Sequence, residues 1–460
     1  MKITNPKIVF FPIDTVMREL EWQLVMACHL SKLGIVSVIG HKKFIQHAHT
    51  KSQNCVWFGR LGTNNGRGKG DLRILNYGNE NNTHFLFLHD EGAFYGNKNY
   101  LKAVEHIHPY QIMEEVDNFK MLTWGEYQAD ALLKLSGKPN LNICVIGMPR
   151  FDLYSKQYDW LDQDKVAQIH EKYGKFILIN TKFANANSNE YKAGLINKRF
   201  TKTYKINQQK EINECFDNWQ KDNENWASFV KMLSLLFPAY PSRKFIIRAH
   251  PSEDATFYED AFGHYSNVKI VRQGDARPWI KACEAMVHSG CTTGFEAIVA
   301  GKKVINYMPA GIGSDFNISI AEEAGALAIN PHEVIEYLNT DIKFMDQSFS
   351  EIAKQKLLNI SSPSIPLALE LIEQTKTSSN SAVCVMDNLF INKLKLLKYQ
   401  YYDNNKLKKS RGLNSKELGR DIRLSDLPSD TINRLVNNFN KEYNAQVKIK
   451  EMDKNHVIIS

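Results

Sequence analysis

Short apolar runs of strand length recur along this chain, and most are separated by stretches long enough for a helix. They read KIVFFPI (Lys7 to Ile13), IVSVIG, THFLFLH, KMLTWG, NICVIG, KFILIN, KFIIRAH, VKIVRQ and KKVINYM. Between the first two lies an amphipathic segment, with Leu20, Leu24, Ala27 and Leu33 near helical spacing and Gly34 as its stop. That is a β-α-β unit. Repeated alternation of this kind predicts parallel sheets covered by helices, an α/β fold. A chain of 460 residues exceeds one compact domain, so two such domains and an appendage are expected. One boundary is expected near Arg150, where NICVIG gives way to MPRFDLY and a polar stretch. A second is expected near 379, after the serine-rich TKTSSNSA. The expected division is 1–150, an acceptor-side Rossmann-like domain; 151–379, a donor-binding Rossmann-like domain; and 380–460, a basic C-terminal extension.

In open parallel sheets the ligand site lies at the carboxyl ends of the strands. The chemically unusual residues collect at those ends. The first strand leads to Arg18 and Glu19, on the acceptor side. LFLH ends at Asp90, Glu91 and Gly92, and NICVIG leads to Arg150 and Asp152. KFILIN ends at Thr181 and Lys182, KFIIRAH at Arg248, His250 and Pro251. The run AMVH delivers His288, Ser289, Gly290, Cys291, Thr292, Thr293, Gly294 and Glu296. Within HSGCTTGFEA the glycines permit close backbone approach and the hydroxyls offer hydrogen bonds. The following segment reads as a helix whose N-terminus attracts phosphate, with Glu296 placed to accept from ribose hydroxyls. The plain alternative is that Ser and Thr at a helix start are N-caps. In RAHPSED, His250 can carry a proton or charge to a leaving phosphate, and Arg248 adds permanent charge.

Two Rossmann-like domains facing a cleft would be a GT-B architecture. LHDEG, RAHP and HSGCTTG, in this order, resemble the acidic-acidic-glycine, His-Pro and Ser/Thr motifs of bacterial glycosyltransferases that use CMP-activated acidic sugars, the sialyltransferases and Kdo transferases. GMPRFD, RAHPSED and HSGCTTGFEA look more specifically like surface-carbohydrate biosynthesis proteins related to the β-Kdo transferases of capsule and lipopolysaccharide O-antigen assembly. The resemblance covers residues from about 5 to 375. GMPRFD and the His-Pro pair also resemble the glycerophosphotransferases of teichoic-acid synthesis, which use CDP-glycerol. The resemblance implies that His250 contacts the donor phosphate, that Ser289, Thr292 and Thr293 hold it, and that the acid pair serves sugar transfer to a glycan or glycolipid acceptor. A carboxylate near the anomeric carbon can deprotonate the incoming hydroxyl or attack directly. Related Kdo transferases are retaining, which implies a carboxylate nucleophile. Asp90, Glu91 and Asp152 all remain candidates, and Asp152 is equally well read as a brace beside Arg150. A non-catalytic glycan-assembly scaffold is the alternative from outside the enzymes.

Other features narrow the reading. The seven cysteines form no C-x-x-C pair, which argues for a reducing cytoplasm and against a disulfide framework or structural zinc. The opening run MKITNPKIVFFPIDTV goes directly into a strand-like segment with no apolar stretch of signal length, so export by that route is not expected. The glycine run Gly62 to Asp71 has Gly70 where a P-loop needs Ser or Thr, and is expected to be a mobile loop. Asp162 and Asp164 form an Asp-x-Asp before a helix, expected to be solvated or capping. Neither a metal nor a cofactor is expected. The net charge of +8 is concentrated between Asn388 and Arg420, where nine Lys or Arg face two acids among Leu, Phe, Ile and Tyr. That composition suits either a solvated surface helix or peripheral contact with the cytoplasmic face of the inner membrane. No nucleic-acid module accompanies it.

Overall fold

The computed structural model describes residues 7–50, 52–61, 69–90, 100–111, 116–188, 209–272, 274–309, 321–340, 351–376, 427–452 and 456–460. Glu91, the loop residues 62–68 and the basic segment 388–420 lie outside them. The fold is α/β, as the alternation predicts, and divides into two compact units, each with a doubly wound sheet.

The first sheet has eight strands in the order β13-β14-β2-β1-β3-β4-β5-β6. In chain order these are β1 (Ile8–Ile13), β2 (Val36–His41), β3 (Val56–Phe58), β4 (His84–Leu88), β5 (Phe119–Thr123), β6 (Ile143–Val145), β13 (Ile449–Met452) and β14 (His456–Ile459). β1 runs parallel to β2, Ile8 opposite Val36 and Ile13 opposite His41, and parallel to β3 through Val9 and Phe10. Every residue of β1 is buried, so both faces are covered and an unbroken apolar run is required rather than an alternating one. Pro12 is tolerated in this inner strand because β3 pairs only as far as Phe10, so no ladder bond on that side needs its missing N–H.

The second sheet is wholly parallel, in the order β12-β11-β10-β7-β8-β9. Its strands are β7 (Phe176–Asn180), β8 (Lys244–Arg248), β9 (Val268–Ile270), β10 (Ala285–His288), β11 (Lys303–Tyr307) and β12 (Ala326–Ala328). Ile177, Ile179, Phe245, Ile247, Val287 and Ile305 form its core with Phe229, Leu233, Leu236 and Phe237 of the long helix Gln209–Ala239.

The units are drawn differently from the expected boundaries at 150 and 379. The first includes the described residues up to 90, Leu101–Leu153 and those from Ser361 onward; the second includes Tyr154–Ile360. The helix Ser364–Gln374 therefore belongs to the first unit, where it is held at both ends. The Asp152 carboxylate accepts from the Ile365 N–H at 2.6 Å, and Lys7 Nζ donates to the carbonyls of Ile372, Glu373 and Thr375 at 2.7 to 2.9 Å. These groups answer the orphan donors and acceptors that every helix end leaves.

The described C-terminal residues are likewise no appendage. The helix Ser429–Glu442 lies on the helix Val16–Lys32, with the His29 ring edge-on to Phe439 at 4.8 Å and Lys32 over Tyr443. β14 then adds to β2, Val457 opposite Ile39, and β13 pairs with β14. Both pairings are antiparallel, and for β13 with β14 the short connection allows nothing else, since a parallel pair needs a long crossover. Their effect is to cover the edge that β2 would otherwise expose.

Candidate functional site

Each sheet reverses its winding once. In the first, β1 leads to β2 on one side and to β3 on the other; in the second, β7 leads to β8 on one side while β10 returns on the other. Ligand sites form at such points because the loops there diverge.

At the first reversal, β1 ends at Asp14 and the chain turns at Thr15 into the helix Val16–Lys32. Glu19, on the first turn, points inward and is buried. Its Oε2 accepts from the backbone N–H of Thr15 at 3.0 Å and of Asp14. Its neighbour Arg18 is exposed, so the two acceptor-side expectations separate onto different faces of one turn. Arg60, just past β3, is ion-paired with Asp14 and places Nη1 3.3 Å from Asp90 Oδ1. Lys42 Nζ lies 3.1 Å from the other Asp14 oxygen, and His89 Nδ1 lies 3.9 Å from Asp90. Trp57 and Trp124 fix the loops by donating their indole N–H to the carbonyls of Arg60 and His89.

Glu19 and Asp90 lie close enough to perturb one another, so the acid pair formed in space is Glu19 with Asp90. Burial, with the Asp90 charge adding to it, holds the Glu19 carboxyl well above its ordinary range. Burial would raise Asp90 too, but Arg60, His89 and the neighbouring Glu19 outweigh it and keep Asp90 below the ordinary aspartate value. The two neighbouring carboxyls are therefore pushed in opposite directions. Asp152, also in this unit, accepts from the Ile365 N–H and so caps the helix Ser364–Gln374.

At the second reversal, β7 ends at Asn180 and β10 at His288. Gly290 follows with φ of +57°, a left-handed turn that favours glycine, and its N–H donates to Asn306 Oδ1 at 2.8 Å. A side chain at Gly290 would begin 3.1 Å from Lys182 Nζ, so the ammonium lies directly over this turn. Ser289 is buried beside it, while Thr292 and Thr293 are half-buried. Thr293 Oγ1 donates to Cys291 Sγ and accepts from Asn180 Nδ2, which makes it a brace of the turn. His288 is fully buried: Nε2 donates to the Ala324 carbonyl at 2.7 Å, Nδ1 accepts from the Cys291 N–H, and burial brings its pKa down to about 4. Gly294 serves this packing rather than ligand approach, since a Cβ there would meet the His288 ring at 2.5 Å. The helix after the loop is short, Thr293–Val299, and Glu296 is buried in its first turn.

The His-Pro turn is held from below. Glu253 accepts from the Thr181 hydroxyl at 2.7 Å, the Phe183 N–H at 2.8 Å and the Tyr258 hydroxyl at 2.7 Å, while Thr181 accepts from the His250 N–H. Thr181, expected at the donor, is thus buried as part of the support. Burial raises Glu253 despite these bonds. His250 itself is exposed, and the Ser252 N–H donates to its Nδ1, which places the ring proton on Nε2. Arg248 donates to the Gly274 carbonyl and lies over the Trp279 ring.

Asp162 corrects one expectation. It is buried and receives a bidentate bond from Arg277, at 2.6 and 3.1 Å, with Lys281 3.7 Å away; Asp164 is exposed as expected. Among the described residues no group of three or more His, Cys, Asp or Glu is placed to hold a metal ion, and no helix is long and apolar enough to cross a membrane.

Sequence reading missed Asp14, Lys42, Arg60, Asn180, Glu253 and Asn306. Arg60 was reachable had CVWFG been recognised as a strand, and Asn306 is a lone amide inside the apolar run KKVINYM.

No protein-family model matches the chain, and no curated protein matches it. Among solved structures, the UDP-GlcNAc 2-epimerase from Neisseria meningitidis bound to UDP-GlcNAc is similar at 11% identity and TM-score 0.48, covering 80% of this chain and 98% of its own. The wall teichoic acid polymerase TagF is similar at 10% identity and TM-score 0.46, covering 80% and 88%. Anabaena Alr3699/HepE in complex with UDP-glucose is similar at 10% identity and TM-score 0.40, covering 80% and 98%. Likeness at this level says nothing about activity.

Proposed function

We propose that this protein is a glycosyltransferase that moves an acidic sugar, Kdo, from a CMP-sugar donor to a bacterial surface glycan, with retention. The observation that carries the proposal is the buried Glu19 and Asp90 carboxyl pair at the first unit's reversal point, with Arg60 3.3 Å from Asp90. A scaffold has no need of two neighbouring buried carboxyls at this position.

The work divides between the units. In the second, Lys182, Ser289 and Thr292 surround the left-handed turn at Gly290 and offer positive charge and hydroxyls to the donor phosphate. His250 presents a ring N–H that can donate to the phosphate as it leaves. In the first, Asp90 is the carboxylate nucleophile. It attacks the anomeric carbon, the bond to CMP breaks, and CMP departs with the electron pair. The acceptor hydroxyl then attacks the glycosyl ester, loses its proton to a base and regenerates the Asp90 carboxylate. Two inversions give net retention. Glu91 and the 388–420 segment, proposed for the acid motif and for peripheral membrane contact, lie outside the described residues.

Incubation of the purified protein with CMP-Kdo, CMP-sialic acid and CDP-glycerol, each with glycan acceptors, tests the proposal. Consumption of CMP-Kdo is expected. Turnover of CDP-glycerol alone would move the protein to glycerophosphate transfer, and no turnover of any donor would leave the scaffold reading.

A further inference from the structure

Lys182 and His250 stand on separate loops of the second unit, one after β7 and one after β8. Two side chains can act on one phosphate only if the loops that carry them are held in fixed relation. The residue that ties these loops together is Glu253, which is fully buried.

Its carboxyl reaches the Lys182 loop. Oε1 accepts from the Thr181 hydroxyl at 2.7 Å and from the Phe183 N–H at 2.8 Å, the residues on either side of Lys182. Oε2 accepts from the Tyr258 hydroxyl at 2.7 Å, in the helix Thr256–Phe262. Its backbone serves the other loop: the Glu253 N–H donates to the His250 carbonyl at 2.8 Å and closes the His-Pro turn. Thr181 completes the circuit. A hydroxyl has one hydrogen to give, which goes to Glu253, and its oxygen accepts from the His250 N–H at 3.3 Å. The next residue repeats the tie, with the Asp254 N–H donating to the Asn187 carbonyl at 3.0 Å and Asn187 Nδ2 to the Asp254 carbonyl at 2.9 Å.

Packing alone does not call for this arrangement. A carboxyl buried among neutral donors is costly, and burial pushes Glu253 up in spite of its three bonds. An apolar side chain could fill the space, but it would leave the Phe183 N–H unanswered and the Thr181 hydroxyl free to rotate away from His250. The effect reaches the ring. Inside the closed turn the Ser252 N–H donates to His250 Nδ1 at 3.2 Å, so the ring hydrogen sits on Nε2.

We propose that Glu253 is a positioning residue for both groups: by bonding the flanks of Lys182 and closing the turn of His250, it fixes where the ammonium stands and which ring nitrogen of His250 carries the hydrogen. The inference rests on the reading of Lys182 and His250 as the groups that meet the donor phosphate.

Three variants of the full chain test it. Glu253→Ala removes the tie, Thr181→Val removes the link from Glu253 to the His250 N–H with little change of shape, and Tyr258→Phe removes a buried bond on Oε2 while leaving Oε1 in place. The readouts are the ¹⁵N resonances of the His250 ring, identified by their loss in His250→Gln, and calorimetric binding of CMP. Wild type and Tyr258→Phe are expected to show the Nε2–H tautomer alone and equal CMP affinity, even where Tyr258→Phe lowers the thermal midpoint. Thr181→Val and Glu253→Ala are expected to show the Nδ1–H tautomer as well and to bind CMP about tenfold more weakly, the size of one lost charge-assisted hydrogen bond. If Glu253→Ala does not fold, Thr181→Val decides. An unchanged tautomer in Thr181→Val would overturn the proposal, and so would an equal disturbance in Tyr258→Phe, which would mark a general loosening of the fold. Failure of the wild type to bind CMP would instead remove the donor-phosphate reading, while the tautomer in Thr181→Val still judged the role of Glu253.

Discussion

Asp152 is where the structural and chemical readings of one carboxylate separate, and substitution distinguishes them. The structure gives it a bond to the Ile365 N–H at 2.6 Å, at the start of the helix Ser364–Gln374, in a buried setting. A charged hydrogen bond contributes about 1.5–3 kcal/mol and the loss of a helix cap about 0.5–2 kcal/mol, overlapping accounts of one contact. Asp152→Ala should therefore destabilise the first unit by about 2 kcal/mol, or roughly 4–8 °C in Tm for a unit of this size. Asn is as good a cap as Asp, so Asp152→Asn should stay within about 1 kcal/mol of wild type. The local assay is exchange of the Ile365 amide, which should quicken about 30-fold in the Ala variant, since each 1.4 kcal/mol is tenfold. Donor turnover should survive in Asp152→Asn. Loss of turnover at an unchanged Tm would refute the reasoning and make Asp152 the reacting acid; an unchanged Tm in Asp152→Ala would refute the capping role.

Arg277→Ala leaves Asp162 buried with Lys281 3.7 Å away, and should cost about 3–5 kcal/mol in urea unfolding. An unshifted midpoint would contradict that. Phe439→Ala removes a fully buried ring of the C-terminal helix and should cost about 3–5 kcal/mol, because this helix is part of the first unit's core; a surface appendage would tolerate the change. His250→Ala should lower donor turnover by about 10²-fold or more with little change in Tm, the ring being exposed. Lys182→Ala should raise the donor KM about tenfold or more, and an unchanged KM would take the ammonium away from the phosphate.

The alternation of apolar runs and helix-length segments made the two parallel sheets legible in the sequence, because strands buried on both faces must be continuously apolar. β3 and β12 were less visible, each only three residues long. β13 and β14 escaped notice because their run, QVKIKEMDKNHVIIS, follows a long polar and basic stretch and reads by composition as a tail. Its alternation in VKIKEM was the available signal. At the site, strand-end position identified Asp90, Lys182, Ser289 and His250, but not which polar groups neutralise one another. That depends on strand order. β3, far from β1 in sequence, lies beside it in the sheet and brings Arg60 between Asp14 and Asp90. The same is true of Asn306, carried beside His288 by the pairing of β10 with β11. The acid motif placed Glu91 next to Asp90, and Glu91 lies outside the described residues; the fold adds Glu19, from the helix after β1, as a carboxyl near Asp90.

The central claim is that Asp90 attacks the sugar, and trapping the covalent intermediate tests it most directly. The protein is incubated with CMP-Kdo in the absence of acceptor, quenched in acid and digested, and the peptides are mapped by mass spectrometry. The account predicts one sugar residue on the Asp90 side chain, absent in Asp90→Asn. A sugar on Glu91, Asp152 or any other residue, or donor turnover undiminished in Asp90→Asn, would contradict it.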